Sequence, residues 1–269
     1  MSSEIKESIK VPVMAELAAS GKQPEYLFWV GCAGAIDYRY MKVTRAFATL
    51  LNHLKVDYAV LGTEETCTGD PARRAGNEML YQMQAMIVIE TFKMYEVKKI
   101  ITICPHCYNV FKHEYPDLGG HYEVIHYTEL LADALRNGML KVDKSKLAGK
   151  TATFHDPCYL GRMNNIYDAP RFVMETLGLT MAEMPRNRSF GLCCGGGGAQ
   201  MFKDAEKGGK EVFIERTEEA METGASIIGS SCPFCMTMLT DGIKYKDKEE
   251  ELQNLDVAEL VVMALQKGA

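Results

Sequence analysis

The segment Gly191-Leu192-Cys193-Cys194-Gly195-Gly196-Gly197-Gly198-Ala199-Gln200 sets two adjacent cysteines before four glycines. Neighbouring cysteines do not suit a relaxed disulfide, and a glycine run is unfavourable to order inside a helix or strand. The same run lets backbone N–H groups approach something bulky held by the thiolates. Two thiolates aimed at a polynuclear metal centre account for both features. The chain has nine cysteines, and residues 1–10 are polar with no apolar stretch of signal-peptide type, so a cytoplasmic location is expected. In that setting cysteines point to metal ligation or redox chemistry before disulfides.

The cysteines repeat. Cys32 lies 35 positions before Cys67, and Cys158 lies 35 before Cys193. Cys67 lies 37 before Cys104, and Cys193 lies 39 before Cys232. Each half then carries Cys-Pro-x-Cys, as Cys104-Pro105-His106-Cys107 and Cys232-Pro233-Phe234-Cys235. Glu129-Leu130 and Glu259-Leu260 follow 25 and 27 positions beyond the first cysteine of that motif. Agreement at this many points argues a duplication with its boundary near 137–147. The expected organisation is an N-terminal arm over residues 1–25, a first cysteine-rich domain over 26–145 and a second over 146–269. The arm, polar apart from 11–17, reads as loose or as a helix packing on a partner.

Short apolar runs at 26–30, 58–61, 99–103 and 122–125 read as buried strands, as do 151–154 and 225–229. Helical patterns fall between them at 40–54, 76–95, 128–135, 169–177, 205–223 and 256–265. The alternation predicts an α/β fold of two tandem pseudo-repeated domains with mostly parallel sheets. Ligands in such folds sit beyond the carboxyl ends of the strands. Cys32, Cys104, Cys158 and Cys232 each closely follow a strand, which puts one cysteine set at the edge of each sheet.

With 269 residues, 47% hydrophobic and 25% charged, the chain reads as globular. A net charge of −6 argues against a nucleic-acid surface. The apolar runs at 85–89 and 260–265 are too short to span a bilayer, so no direct membrane insertion is expected and any link to the inner membrane goes through a partner. The glycine run lacks the lysine of a P-loop and the phase of a dinucleotide fingerprint, which excludes nucleotide binding there.

The first set, Cys32, Cys67, Cys104 and Cys107, offers four thiols, suited to a structural zinc or to a four-iron cluster. The second, Cys158, Cys193, Cys194, Cys232 and Cys235, offers five, more than either needs. The extra thiol beside a glycine run favours a larger or irregular iron–sulfur centre.

The pattern Cys…Cys-Cys-Gly…Cys-Pro-x-Cys, complete in the second half and near-complete in the first, resembles the cysteine-rich (CCG) domain family. That family includes the B and D components of heterodisulfide reductase, iron–sulfur subunits of glycolate oxidase, lactate-utilisation iron–sulfur proteins and the type-E succinate dehydrogenase anchor. The resemblance covers roughly 26–265 and is strongest to the heterodisulfide-reductase-like group. It implies two tandem α/β domains and a non-cubane [4Fe-4S] cluster on the five second-half cysteines, where Cys193 and Cys194 would carry the chemistry of disulfide reduction. Thr68 stands where a second adjacent cysteine should be, so the first site is expected to hold either an ordinary [4Fe-4S] cluster or zinc.

The resemblance implies an oxidoreductase subunit that acts within a complex. Its partners would be ferredoxin-type, flavoprotein or membrane haem/quinone subunits, with a small disulfide or thiol as substrate. A pure electron-transfer module between a flavoprotein and a membrane quinone-reactive partner is the alternative. A third reading has the metals merely staple the domains. His106 and His155-Asp156 read as groups that orient ligands by hydrogen bonds, with proton delivery as the alternative. Arg73, Arg74 and Arg162 suit either an anionic partner or surface ion pairs. Met79, Met83 and Met86 are expected in the core, and 244–251 as a solvated charged face.

Overall fold

The computed structural model describes residues 9–204 and 209–266. In the first half, α1 (Met14–Ala19) precedes β1 (Tyr26–Trp29), α2 (Gly31–Ile36), α3 (Tyr40–His53) and β2 (Tyr58–Ala59). Then come α4 (Asp70–Arg74), α5 (Glu78–Met94), β3 (Lys99–Thr102), α6 (Pro105–Asn109), β4 (Glu123–His126) and α7 (Tyr127–Arg136). The second half runs β5 (Thr151–Phe154), α8 (Asp168–Thr176), β6 (Thr180–Met181), α9 (Val212–Glu222), β7 (Ile227–Ser230), α10 (Pro233–Tyr245), β8 (Gln253–Asp256) and α11 (Val257–Ala264). The helix expected from 205 starts at Val212; residues 205–208 lie outside the described residues, as do 1–8 of the arm.

Two four-stranded sheets result, ordered β2-β1-β3-β4 and β6-β5-β7-β8, the same topology twice. Every pairing is parallel, with Leu27 opposite Ile100 in one sheet and Ala152 opposite Ile227 in the other. Such strands are covered on both faces and read as continuous apolar runs rather than alternating ones. Along β1 the side chains alternate between two cores. Phe28 faces an inner core and Leu27 and Trp29 an outer one. Likewise Ile227 of β7 faces the inner core and Ile228 an outer one.

The inner core is shared. Tyr40, Val43 and Phe47 of α3 and Leu131 of α7 pack with Val173 of α8 and Leu260 of α11, between the two sheets. Leu140 and Leu147 of the connection are buried in the same cluster. The two capping boxes are equivalent: Glu129 accepts from the His126 N–H at 3.3 Å and Glu259 from the Asp256 N–H at 3.0 Å. That explains the repeated Glu-Leu pairs.

Two expectations are corrected. The arm docks on its own sheet: Met14 N–H donates to the Val60 carbonyl at 2.8 Å, Val60 N–H to Pro12 at 2.9 Å, and Met14 is buried. Met79, Met83 and Met86 are 74%, 57% and 42% exposed. Helix α5 is apolar on more than one face, and Tyr81, Ala85, Val88 and Phe92 face the core at the same helical spacing.

Polar ties join the halves. Arg39 forks onto Glu259 at 2.8 and 2.7 Å, and the Tyr127 hydroxyl donates to Asp256 at 2.6 Å in a fully buried contact. Burial pushes the Asp256 carboxyl up from near 3.8 to about 8, against the pull of Tyr127 and the Ala258 N–H. Between these values the folded chain keeps a proton that the unfolded chain has lost, so this group's stabilisation is complete below pH 3.8 and is lost as pH rises through about 8. Asp256→Asn, which keeps the acceptor for both donors, is expected to flatten that decline by about 1.4 kcal/mol per pH unit. Denaturant midpoints across that window check it; an unchanged slope overturns it.

Candidate metal centre

All nine cysteines are free thiols, and they gather in the two sets read from the spacing. Cys32, Cys67, Cys104 and Cys107 line one site, at the carboxyl ends of β1 and β3. Cys158, Cys193, Cys194, Cys232 and Cys235 line the other, at the carboxyl ends of β5 and β7, around a cavity of about 70 Å³. Each Cys-Pro-x-Cys starts a helix: Cys104 and Cys232 are the capping residues, and Pro105 and Pro233 take the first helical position. That places four of the thiols where helix N–H groups and the positive end of the dipole favour a thiolate.

The Cys-x-Gly turns are equivalent too. Gly69 and Gly195 adopt φ of +88° and +87°, and their N–H groups donate to the sulfurs of Cys67 and Cys193 at 3.4 and 3.3 Å. Left-handed backbone of this kind belongs to glycine. The Cys67 thiol, hydrogen-bonded by Cys32, is lowered to about 7 despite burial. Cys193 is lowered by hydrogen bonds from the Cys158 and Cys194 thiols, while those donors are pushed up. Cys232 is lowered to about 5: burial opposes ionisation, and hydrogen bonds from Cys235 and His106 overcome it. Each half thus stabilises a thiolate among neutral thiols even before any cation binds.

The third residue of each Cys-Pro-x-Cys sits between the sites. Phe234 clusters with Cys194, Cys232 and Cys235 and also lines the first site, His106 lines both sites, and their rings meet at 4.4 Å. The His106 Nδ1 pairs with Asp70 at 2.8 Å, and Tyr159 packs on the same ring at 4.4 Å. Burial opposes the charge on His106, yet Asp70 and Cys232 raise it to about 10. Arg74 bonds Asp70 at 3.0 Å and also Glu114, and Arg73 bonds Glu114 at 2.7 Å, so both arginines are engaged in internal ion pairs. Arg162 donates to the Cys158 sulfur at 2.5 Å and to the Gly191 carbonyl.

His155 and Asp156 divide their tasks. Asp156 is bound by Arg171 at 2.7 and 2.9 Å and anchors the Arg188 N–H at 2.6 Å, which holds the loop leading to Cys193. His155 accepts from the Arg216 Nε at 3.0 Å, and burial with Arg216 beside it lowers it to about 3, so it is neutral. A ring nitrogen of His155 and the sulfurs of Cys194 and Cys235 all lie within 4.8 Å of one another. Sequence reasoning missed Trp29, Asp70, Phe234 and Arg216 at these sites. Only Trp29 carried a usable signal, standing three positions before Cys32 as His155 stands before Cys158.

Thr68 is buried where Cys194 stands in the other half, with its hydroxyl 4.0 Å from the Cys107 sulfur. The first site therefore has four sulfurs and a hydroxyl.

Substituting the turn glycines should grade by what a Cβ meets. At Gly69 it lies 2.8 Å from the Tyr81 ring and 3.1 Å from the Tyr81 carbonyl; at Gly195 the nearest atom is 3.3 Å away, on Val212. Gly195→Ala is expected to lose about 1–2 kcal/mol from the left-handed backbone, and Gly69→Ala more. Denaturant unfolding of the two variants checks the order, and equal or negligible losses overturn it.

Comparison with known proteins agrees with this geometry. The cysteine-rich domain (CCG) profile matches residues 26–112 and again 152–240. The "Probable iron-sulfur-binding oxidoreductase FadF" of Bacillus subtilis is 45% identical over 95% of this chain and 36% of its own length. The "EtfAB:quinone oxidoreductase" of Syntrophomonas wolfei is 44% identical over 93% of this chain and 36% of its own length. A component of the "Dihydromethanophenazine:CoB--CoM heterodisulfide reductase" of Methanosarcina mazei is 34% identical over 90% of this chain and 59% of its own length. The chain thus spans about a third to three-fifths of these curated relatives. Two matched copies, each built on its own parallel sheet and its own set of thiols, mean that the chain belongs to the cysteine-rich (CCG) domain family.

Proposed function

We propose that this chain is the iron–sulfur unit of a multi-subunit oxidoreductase and passes electrons between redox partners. Its principal centre would be a non-cubane [4Fe-4S] cluster on Cys158, Cys193, Cys194, Cys232 and Cys235. The observation that carries the reading is the convergence of these five free thiols on one cavity, beside a four-thiol site that shares its wall. Five thiols exceed the four of a structural zinc or an ordinary cubane. When bound, such a centre takes up and returns electrons one at a time.

The chain's residues hold the sulfurs, lend N–H groups to them and exclude water. Cys32, Cys67, Cys104 and Cys107 would hold a second [4Fe-4S] cluster or a zinc. The edge-to-face contact of the His106 and Phe234 rings between the sites favours exchange of electrons between two clusters. The relatives' names support a place between an electron-transfer flavoprotein and a quinone-reactive partner. No helix among the described residues is long and apolar enough to cross a membrane, so this chain would meet such a partner at a surface.

A second reading, reduction of a disulfide at the centre that Cys193 and Cys194 help to hold, is supported by the complete five-thiol set and by the likeness to a heterodisulfide reductase component. The threonine at position 68 favours electron transfer, because it leaves the first half without the fifth thiol of a second such centre.

Anaerobic metal analysis with electron paramagnetic resonance tests the proposal. About eight irons per chain would mean two clusters, and about four with one zinc would make the first site structural. Reversible reduction that ignores added thiol or disulfide is the expected result. A new paramagnetic signal on adding either moves the function to sulfur chemistry, and a chain that takes up no iron overturns both readings. Cys194→Ser is expected to lose or alter the second centre while the first keeps its metal; loss at both sites would show that the halves do not load independently.

A further inference from the structure

Two buried ring nitrogens beside the thiol sets have no nitrogen or oxygen hydrogen-bond partner among the described residues: Trp29 Nε1 and His155 Nε2. They occupy equivalent places. Trp29 ends β1 three positions before Cys32, and His155 follows β5 three positions before Cys158. Both side chains are fully buried. A buried N–H without an acceptor is costly, and the acceptor beside Trp29 is the Cys107 sulfur, whose ionisation it favours, so both rings call for a sulfur acceptor at their sites.

The first orphan faces sulfur. A Cβ placed on Gly31 would lie 3.6 Å from the Cys107 sulfur and 3.8 Å from the Trp29 Nε1, so the two atoms flank that glycine. An indole nitrogen only donates. It can serve a thiolate or sulfide and can never ligate a metal.

The second orphan is decided by Arg216. A guanidinium N–H has no lone pair, so the 3.0 Å contact requires His155 Nδ1 to accept. The ring proton then sits on Nε2, the atom left to address Cys194 and Cys235. For Nε2 to ligate a metal, the proton would have to move to Nδ1 and meet the Arg216 N–H head-on. The cluster of His155 with two cysteines looks like a ligand set, yet Arg216 makes the histidine a donor.

We propose that Trp29 and His155 are paired positioning donors, one per half, whose N–H groups bond the sulfur of the centre held there, and that His155 is not a metal ligand. For the second half this rests on the reading that an iron–sulfur centre occupies that site. Hydrogen bonds to cluster sulfurs stabilise the reduced, more negative form and raise the potential.

The test uses the full chain, loaded anaerobically, with His155→Phe (ring kept, N–H removed), His155→Gln (an N–H restored near the Nε2 position) and Trp29→Phe. The expected result for His155→Phe is an unchanged iron and sulfide content with the midpoint potential of the second centre shifted negative, and His155→Gln returning most of that shift. Pulsed paramagnetic resonance on wild-type chain with labelled histidine should show only the weak nitrogen coupling of a hydrogen-bonded ring. For Trp29→Phe, transfer of the first site's metal to a chelator should become several-fold faster, a readout that serves zinc and iron alike.

Iron lost from a folded His155→Phe chain, or the strong coupling of a ligated imidazole, overturns the donor assignment. So does an unchanged potential in the fully loaded variant. An unchanged release rate in Trp29→Phe overturns the first-half assignment. Should His155→Phe fail to fold, the labelled wild-type spectrum decides alone. A wild-type chain that takes up no iron instead brings down the reading of the second centre, and the His155 assignment with it.

Discussion

Everything in this fold answers one electrostatic difficulty: nine sulfurs held in two tight groups cannot all ionise unless something compensates their charge. Like charges a few ångströms apart, away from water, repel strongly. The protein's own contribution is a set of N–H groups aimed inward: left-handed glycines at Gly69 and Gly195 and helix starts at Cys104 and Cys232. Hydrogen bonds from neighbouring thiols, and from His106 at Cys232, lower Cys67, Cys193 and Cys232; the N–H groups add to that effect, and the remaining charge is left to be met by a bound cation. The parallel sheets follow from this need. Only strands that run the same way bring several carboxyl ends, and the loops beyond them, to one edge.

The duplication is close in backbone and loose in chemistry. Strand order, glycine φ, proline position and capping boxes all recur. The side chains that would tune the occupants differ: threonine against cysteine at 68 and 194, tryptophan against histidine at 29 and 155, histidine against phenylalanine at 106 and 234. A repeated scaffold with divergent donors is suited to holding two unlike occupants.

Much of this was legible in the sequence. Strands covered on both faces are written as unbroken apolar runs, which is why 26–30, 99–103 and 151–154 map onto β1, β3 and β5, and cysteine spacing sorted the thiols into their two sets. Three kinds of feature were not legible. Helix α10 begins inside the Cys-Pro-x-Cys motif, and metal-ligand spacing conceals a helix start made by proline at the first helical position. Strand β8 begins Gln253-Asn254, too polar to read as a buried run although Asn254 is buried and bonded to Met236 and Thr240. The methionines of α5 failed for a different reason: a helix apolar on two faces satisfies the core pattern twice, and only the tertiary packing chooses between Met83 and Tyr81.

Register between the two centres depends on the layer that joins the halves. The inner core packs α3 and α7 of one half against α8 and α11 of the other, and the buried Tyr127–Asp256 contact and the Arg39–Glu259 pair close over the same layer. Because the strands that end at the cysteines also line this layer, a rigid core fixes how far apart the two sets of sulfurs stand. The contact of His106 and Phe234 across the divide is possible only at that spacing: a shift of one sheet by a few ångströms would separate their rings and free His106 from Cys232. On the proposal that both sites hold clusters, electron exchange between them would fall steeply with distance, and the shared apolar layer would set that distance.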